Sequence, residues 1–304
     1  MLTWRAHAKI NLALAVGPAA PPRGYHPIAS WFACVGLHDE VELTALGEGE
    51  PSAWRIEWAA DAPRPTPIDW PIERDLAVRA HRAVESAVHR ALPVRGVVRK
   101  RVPVGAGMGG GSADCAAAMM GLDRLFDLGL GAARLREIAG ALGSDIAFFI
   151  DEECGPERAA RPALVTGFGE RIERLGRVPR EQSHLVLFFP PFGCPTGPVY
   201  QAFDQLPPRP LREGDVRALA AGPGIDGARL FNDLAAPAAM VEPRLAEALA
   251  RMRSAMREPG AHVHVTGSGS TMFALAQGEE HARAIVEKAC SAAPEIVAIT
   301  TMLV

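Results

Sequence analysis

Lysine is scarce in this chain: Lys9, Lys100 and Lys288 are the three among 32 basic residues, so nearly every cation is an arginine. Cysteine is sparse as well. Cys34, Cys115, Cys154, Cys194 and Cys290 are odd in number, scattered, and form no C-x-x-C. That pattern argues against a disulfide framework and a structural zinc site, and it fits a reducing cytoplasm. Charge of one sign is also lacking: the net charge of −3 gives no electrostatic reason to expect nucleic acid or a membrane surface as partner. No apolar run reaches the length of a membrane span. Arg5, Lys9 and the run from Ile10 to Ala20 have the outline of a short signal peptide. Lys9 abuts the apolar stretch and Asn11 interrupts it, which is the wrong anatomy for a cleaved leader.

What is present is an ordinary globular composition, 48% apolar and 22% charged over 304 residues, enough for two domains with substantial cores. Alternating patterns predict strands through Ala8–Val16, Trp31–Leu43 and Trp54–Trp58, with a proline-rich loop at Gly17–Gly24. Apolar residues at helical spacing run from Leu76 to Ala91, before Pro93. A strand at 97–102 leads to a glycine run, then to helices over Ser112–Leu128 and Ala132–Leu142. Beyond residue 155, Leu185–Phe189, His262–Val265 and Ile296–Val304 read as strands, and Arg244–Arg257 and His281–Cys290 as amphipathic helices. Strands and helices without a regular βαβ rhythm predict two α+β domains, 1–155 and 156–304.

The glycine run carries the most information: five glycines lie within Gly105-Ala106-Gly107-Met108-Gly109-Gly110-Gly111, followed by Ser112. Glycine adopts positive φ without penalty, and N–H groups at a helix start bind anions. The order strand, glycine loop, helix therefore predicts a phosphate cradle. Residues 105–110 also satisfy G-x-G-x-x-G, so an NAD-binding Rossmann oxidoreductase is an alternative. That fold expects a second strand ending in an acidic residue, whereas Asp123 and Asp127 fall inside a predicted helix. A Walker A loop is excluded because no Lys-Ser or Lys-Thr follows the glycines.

The string from Pro103 to Asp114 closely resembles the nucleotide-binding motif of the GHMP kinase superfamily, P-x-x-x-G-L-G-G-G-S-S/A-x-A, with Met108 in place of leucine. Further segments resemble, in order, the family of 4-diphosphocytidyl-2-C-methyl-D-erythritol kinases. They are Ala8-Lys9-Ile10-Asn11-Leu12-Ala13-Leu14, Gly24-Tyr25-His26, Leu142-Gly143-Ser144-Asp145, Gly167-Phe168-Gly169-Glu170 and Thr266-Gly267-Ser268-Gly269-Ser270. The chain departs from the family in having Arg74-Asp75-Leu76 where asparagine usually precedes leucine, and Ala147 where proline is usual. The resemblance implies an N-terminal domain like domain 2 of ribosomal protein S5 and a ferredoxin-like C-terminal domain.

It further implies a cytoplasmic, ATP-dependent small-molecule kinase acting on the 2-hydroxyl of a cytidine diphosphate-linked methylerythritol, in isoprenoid precursor synthesis. Homoserine and mevalonate kinases are the alternatives within the superfamily. Pro103, Gly105, Gly107, Gly109, Gly110, Gly111 and Ser112 are then expected to hold the ATP phosphates, with Ser112 also touching Mg²⁺ and capping the helix. Lys9 and Asp145 are the implied catalytic pair, Asp145 as base and Lys9 as its charge partner. A lysine inside an apolar strand is costly to bury without a negative partner, which is what makes Lys9 conspicuous. Asn11, Tyr25, His26, Phe192, Thr266, Gly267 and Ser268 are the implied substrate contacts, Tyr25 and Phe192 sandwiching the cytosine and His26 reading its edge. Gly269 completes the second glycine loop.

Overall fold

The computed structural model describes residues 1–21 and 24–304; Pro22 and Arg23, within the proline-rich loop expected at Gly17–Gly24, lie outside the described residues. The chain divides into two compact units. The first comprises Met1–Ala8, Leu37–Pro103 and Gly109–Arg161, and the second Lys9–Gly36, Val104–Met108 and Pro162–Val304. The units interleave along the chain, each being built from three separate segments. Strands β1 (Leu2–Val16) and β2 (Ile28–Ala45) are paired with each other and contribute residues to both units.

In the first unit, β3 (Ala53–Trp58) is followed by helix α1 (Leu76–Val88) and strand β4 (Val94–Lys100). The end of β2 pairs antiparallel with β4, Glu40 opposite Arg99 and Ala45 opposite Val94, while β3 lies parallel to β4. Asp75 caps α1, its carboxylate accepting from the Ala77 N–H, and Ala77, Val78, Ala80 and Val84 form the buried stripe. The helix stops three residues before the Ala91 that spacing predicts. His89 adopts a left-handed φ of 51° and turns its N–H back onto the carbonyls of Glu85 and Ser86. Helix α2 (Gly110–Leu125) packs against α1, and α3 (Gly131–Ala139) and α4 (Ile146–Phe149) complete the unit.

In the second unit the start of β2 pairs with β5 (Ala163–Gly167), which pairs with β6 (Arg171–Arg174). Strand β7 (His184–Phe189) and helices α5 (Thr196–Phe203), α6 (Glu213–Ala220), α7 (Ala235–Val241) and α8 (Pro243–Ala255) follow. Then come β8 (Val263–Val265), β9 (Met272–Leu275), α9 (Glu279–Ala292) and β10 (Val297–Met302). An antiparallel sheet of order β10-β7-β9-β8 carries helices α8 and α9. Leu185 through Phe189 are all buried, as a continuous apolar run in a strand covered on both faces should be.

Among the described residues no helix is long and apolar enough to cross a membrane. Cys34, Cys115 and Cys194 are buried, Cys154 half-buried and Cys290 exposed.

Candidate active site

Three alternating glycines shape the loop between β4 and α2. Gly105, Gly107 and Gly109 have φ of 68°, 74° and 67°, the left-handed region that a side chain strains to enter. Gly105 faces open space where a Cβ would stand. Gly107 has no such room: a Cβ there would lie 2.5 Å from the Thr266 carbonyl oxygen and 2.9 Å from that of Gly269. The second glycine loop is therefore packed directly on the first. Thr271 donates its N–H to the Ala106 carbonyl, and the Lys9 N–H bonds Met108 O at 2.9 Å.

Lys9 is buried, and its ammonium donates to Asn11 Oδ1 at 2.8 Å and lies 4.5 Å from the centroid of the Phe32 ring. Asn11 is the hub of this network. Its Oδ1 also accepts from Thr266 Oγ1 (3.2 Å), its N–H donates to the same hydroxyl (2.9 Å), and its Nδ2 donates to Ser30 Oγ (2.9 Å). Ser30 in turn donates to Ala13 O. The hydroxyl of Thr266, fully buried, is thus engaged with Asn11 on both its donor and acceptor sides. Ser268 shares a hydrogen bond with Thr196 at the start of α5, and Ser270 donates to Phe192 O.

In the first unit, Gly109 rather than Ser112 occupies the N-cap of α2. The helix begins at Gly110 with no side-chain cap bond, which puts Ser112 at its third position. Ser112 therefore does not cap this helix, contrary to the expectation from its residue type: the left-handed Gly109 turns the chain into the helix two residues earlier. The uncapped N–H groups of Gly110, Gly111 and Ser112 and the positive end of the helix are the elements of an anion site. Gly110 is held by close approach, since a Cβ would stand 2.9 Å from Val102 Cγ1. Asp145 sits at the N-cap of α4, half-buried, and its side chain does not cap that helix.

Beneath this helix start lies a buried charge cluster that the sequence did not announce. Lys100 Nζ contacts Asp39 Oδ2 at 2.5 Å and Asp114 Oδ2 at 2.7 Å. Asp39 Oδ1 accepts the N–H groups of Arg101 and Val102, the two residues before Pro103. Asp114 is on the second turn of α2, so the cluster ties the strand entering the loop to the helix leaving it. Burial pushes the Asp114 carboxyl well above the usual carboxylate range, against the pull of Lys100 and with the push of Asp39. The two carboxylates hold the Lys100 ammonium protonated beyond its ordinary range despite burial. Burial likewise pushes the neighbouring Cys115 thiol up to about 12, leaving it inert. The usable signal was the one that singled out Lys9, a rare lysine in an apolar strand.

Of the remaining candidates, Tyr25 is 60% exposed on its loop. His26 is packed between the rings of Tyr200 (5.0 Å) and Phe203 (5.6 Å, edge-on), with Nε2 2.7 Å from Asp204 Oδ1. Phe192 is half-buried, with the Arg244 guanidinium 4.6 Å from its ring centroid. Asp75, in the departure from the family pattern, is committed locally to capping α1 and to accepting from Trp70 Nε1.

Comparison with known proteins gives the class first. Residues 75–152 match the model for the GHMP kinases N terminal domain and residues 216–295 that for the GHMP kinases C terminal domain. A 4-diphosphocytidyl-2-C-methyl-D-erythritol kinase of Thermobifida fusca is 36% identical over 294 residues, covering 93% of this chain and 89% of the relative. A crystal structure of 4-(cytidine 5'-diphospho)-2C-methyl-D-erythritol kinase superposes with a TM-score of 0.74 at 30% identity, over 99% of both chains. The homoserine kinase of Cytophaga hutchinsonii shares the fold alone, with a TM-score of 0.66 at 16% identity over 97% of this chain and 94% of that one. The chain belongs to the family of 4-diphosphocytidyl-2-C-methyl-D-erythritol kinases. An α+β GHMP kinase fold is what the sequence motifs implied, and the Rossmann alternative falls.

Proposed function

We propose that this chain transfers the terminal phosphoryl group of ATP to the 2-hydroxyl of 4-diphosphocytidyl-2-C-methyl-D-erythritol, in the cytoplasm. The observation that carries the donor half is the uncapped start of α2 behind the left-handed Gly109, which fits a polyphosphate. The acceptor half rests on the family and on Tyr25, His26 and Phe192, which are aromatic or hydrogen-bonding groups suited to a nucleobase. ATP, when bound, supplies the phosphoryl group. Among the described residues no group of three or more His, Cys, Asp or Glu side chains could hold a metal by itself. Mg²⁺ is assigned to the nucleotide phosphates together with Ser112.

The N–H groups of Gly110, Gly111 and Ser112 orient the phosphates, and Pro103, Gly105 and Gly107 shape the loop before them. Asp145 takes or orients the proton of the acceptor hydroxyl, and Lys9 is the cation of the acceptor side. A loose phosphoryl-transfer transition state asks for little early proton removal, so positioning and charge neutralisation supply most of the acceleration. Asn11, Thr266, Gly267 and Ser268 hold the acceptor side in shape. The test is a coupled assay of ADP release with the cytidylyl substrate, homoserine and mevalonate offered in turn. Turnover of the first alone is expected; turnover confined to either of the others overturns the reading.

A further inference from the structure

The segment Phe231–Asp233 is stitched to β1. Leu14 N–H donates to Phe231 O and Asp233 N–H to Leu14 O, both at 2.9 Å, and Val16 N–H donates to Asp233 Oδ2 at 3.0 Å. Asn232 is thereby fixed opposite Leu14, on the strand that carries Lys9 and Asn11. Its side chain reaches the other way. Nδ2 donates to Val265 O and Gly267 O, both at 2.8 Å, and Oδ1 accepts the Leu234 N–H at 2.9 Å. Two carbonyls at one end of the amide and an N–H at the other fix which atom is nitrogen. The two carbonyls flank Thr266, whose hydroxyl bonds Asn11. Gly267 beyond it lies against Gly107, where an added Cβ would meet Gly107 O at 2.5 Å.

We propose that Asn232 is a positioning residue for the kinase reaction: its carboxamide locks the Val265–Gly267 backbone, and through it the seats of Asn11 and Gly107. This rests on the functional reading above and names a residue that the motif comparison left out. Only an amide fits here. A carboxylate has no donor for the two carbonyls, and an apolar side chain would leave both unpaired. Asn232 itself need not touch either substrate.

The test compares Asn232→Ala and Asn232→Asp with the wild type. In Asn232→Ala, hydrogen exchange at residues 266–271 is expected to rise while exchange in α1 stays as in the wild type. The value of kcat is expected to fall about 100-fold, the scale of an ångström's misplacement. Asn232→Asp keeps the size of the side chain and serves should the alanine variant misfold. Its carboxyl, facing two carbonyl oxygens, retains a proton more readily than usual, and the protonated form donates one of the two lost bonds. The ratio of variant to wild-type kcat is therefore expected to climb as pH falls from 8 to 6. A ratio flat with pH, or unchanged exchange at 266–271, overturns the assignment. The wild-type control separates the two readings, because absent turnover of the cytidylyl substrate refutes the functional reading while the exchange data still decide the role of Asn232.

Discussion

A side chain on Gly267 would fall on the backbone of Gly107, and one on Gly107 would fall on the carbonyls of Thr266 and Gly269, on either side of Gly267 in the second loop. A Cβ on Gly107 would stand 2.5 Å from the Thr266 carbonyl oxygen, and one on Gly267 the same distance from that of Gly107. Both have positive φ, 74° and 56°. Gly105 shares the conformation, φ 68°, but faces open space. Gly105→Ala is thus expected to cost only the left-handed strain of about 1–2 kcal/mol. Gly107→Ala adds overpacking of about 1–3 kcal/mol against backbone that cannot step aside. Thermal denaturation of the two variants checks this; equal losses would mean that the packing of the two loops on each other is unimportant.

Asp145 is expected to be needed for chemistry and dispensable for binding the donor. Asp145→Asn keeps the shape but removes the carboxylate, and turnover should fall by about 10²–10⁴-fold, the range of general acid–base contributions. ATP affinity, measured by calorimetric titration, should stay within about twofold, because this carboxylate is assigned to the acceptor and not to the phosphate loop. Near-wild-type turnover in this variant would remove Asp145 from the mechanism.

His26 and Asp204 are paired at 2.7 Å, and the proposed function gives the pair a part in base recognition. On the proposed reading of His26 as a cytosine contact, the tautomer that donates Nε2–H to Asp204 Oδ1 would offer Nδ1 to the exocyclic amine of cytosine and reject the carbonyl of uracil. Asp204→Ala is expected to raise the KM of the cytidylyl substrate about tenfold, the scale of a lost charge-assisted hydrogen bond, and to leave the ATP KM unchanged. Discrimination against a uridylyl analogue should narrow in the same variant. A change in both KM values alike would point to general unfolding of α5.

The Asp39–Lys100–Asp114 cluster makes two stability predictions of opposite sign. Lys100→Met strands two buried carboxylates and is expected to cost about 3–5 kcal/mol in denaturant titration. Asp114→Asn should be mild or stabilising at pH 8. The folded state holds the Asp114 proton to higher pH than the unfolded chain does. Its contribution to stability is therefore full below the ordinary carboxylate range and is lost as pH rises through the raised value. Removing that carboxyl should flatten the fall of Tm with pH above the ordinary carboxylate range. An unchanged slope would mean that Asp114 is ionised throughout.

What the sequence made legible were features whose cause is local. The apolar run Leu185–Phe189 is a buried strand, the alternating glycines form left-handed turns, and Lys9 within an apolar segment is buried. Elements of four to eight residues such as β6, β9, α5 and α6 escaped, being too short for a period to emerge. The partners of Asn232 lie 33 and 35 residues away, that of His26 lies 178 away, and Lys100 reaches Asp39 across 61. Nothing in the composition around Asn232 or Asp204 marks them, because their contacts exist only once distant segments have been brought to them. Ser112 is an instructive case: its type suggested a cap, but the glycine three residues earlier had already started the helix.

The distribution of thiols gives the molecule a practical asymmetry. Cys34, Cys115 and Cys194 are buried, burial holds the thiols of the last two near 12 and 11, and Cys154 donates to Phe149 O, which leaves Cys290 on α9 as the exposed sulfur. A maleimide reagent at neutral pH should accordingly attach a single fluorophore to the native chain, with no cysteine removed and no residue of the proposed site altered.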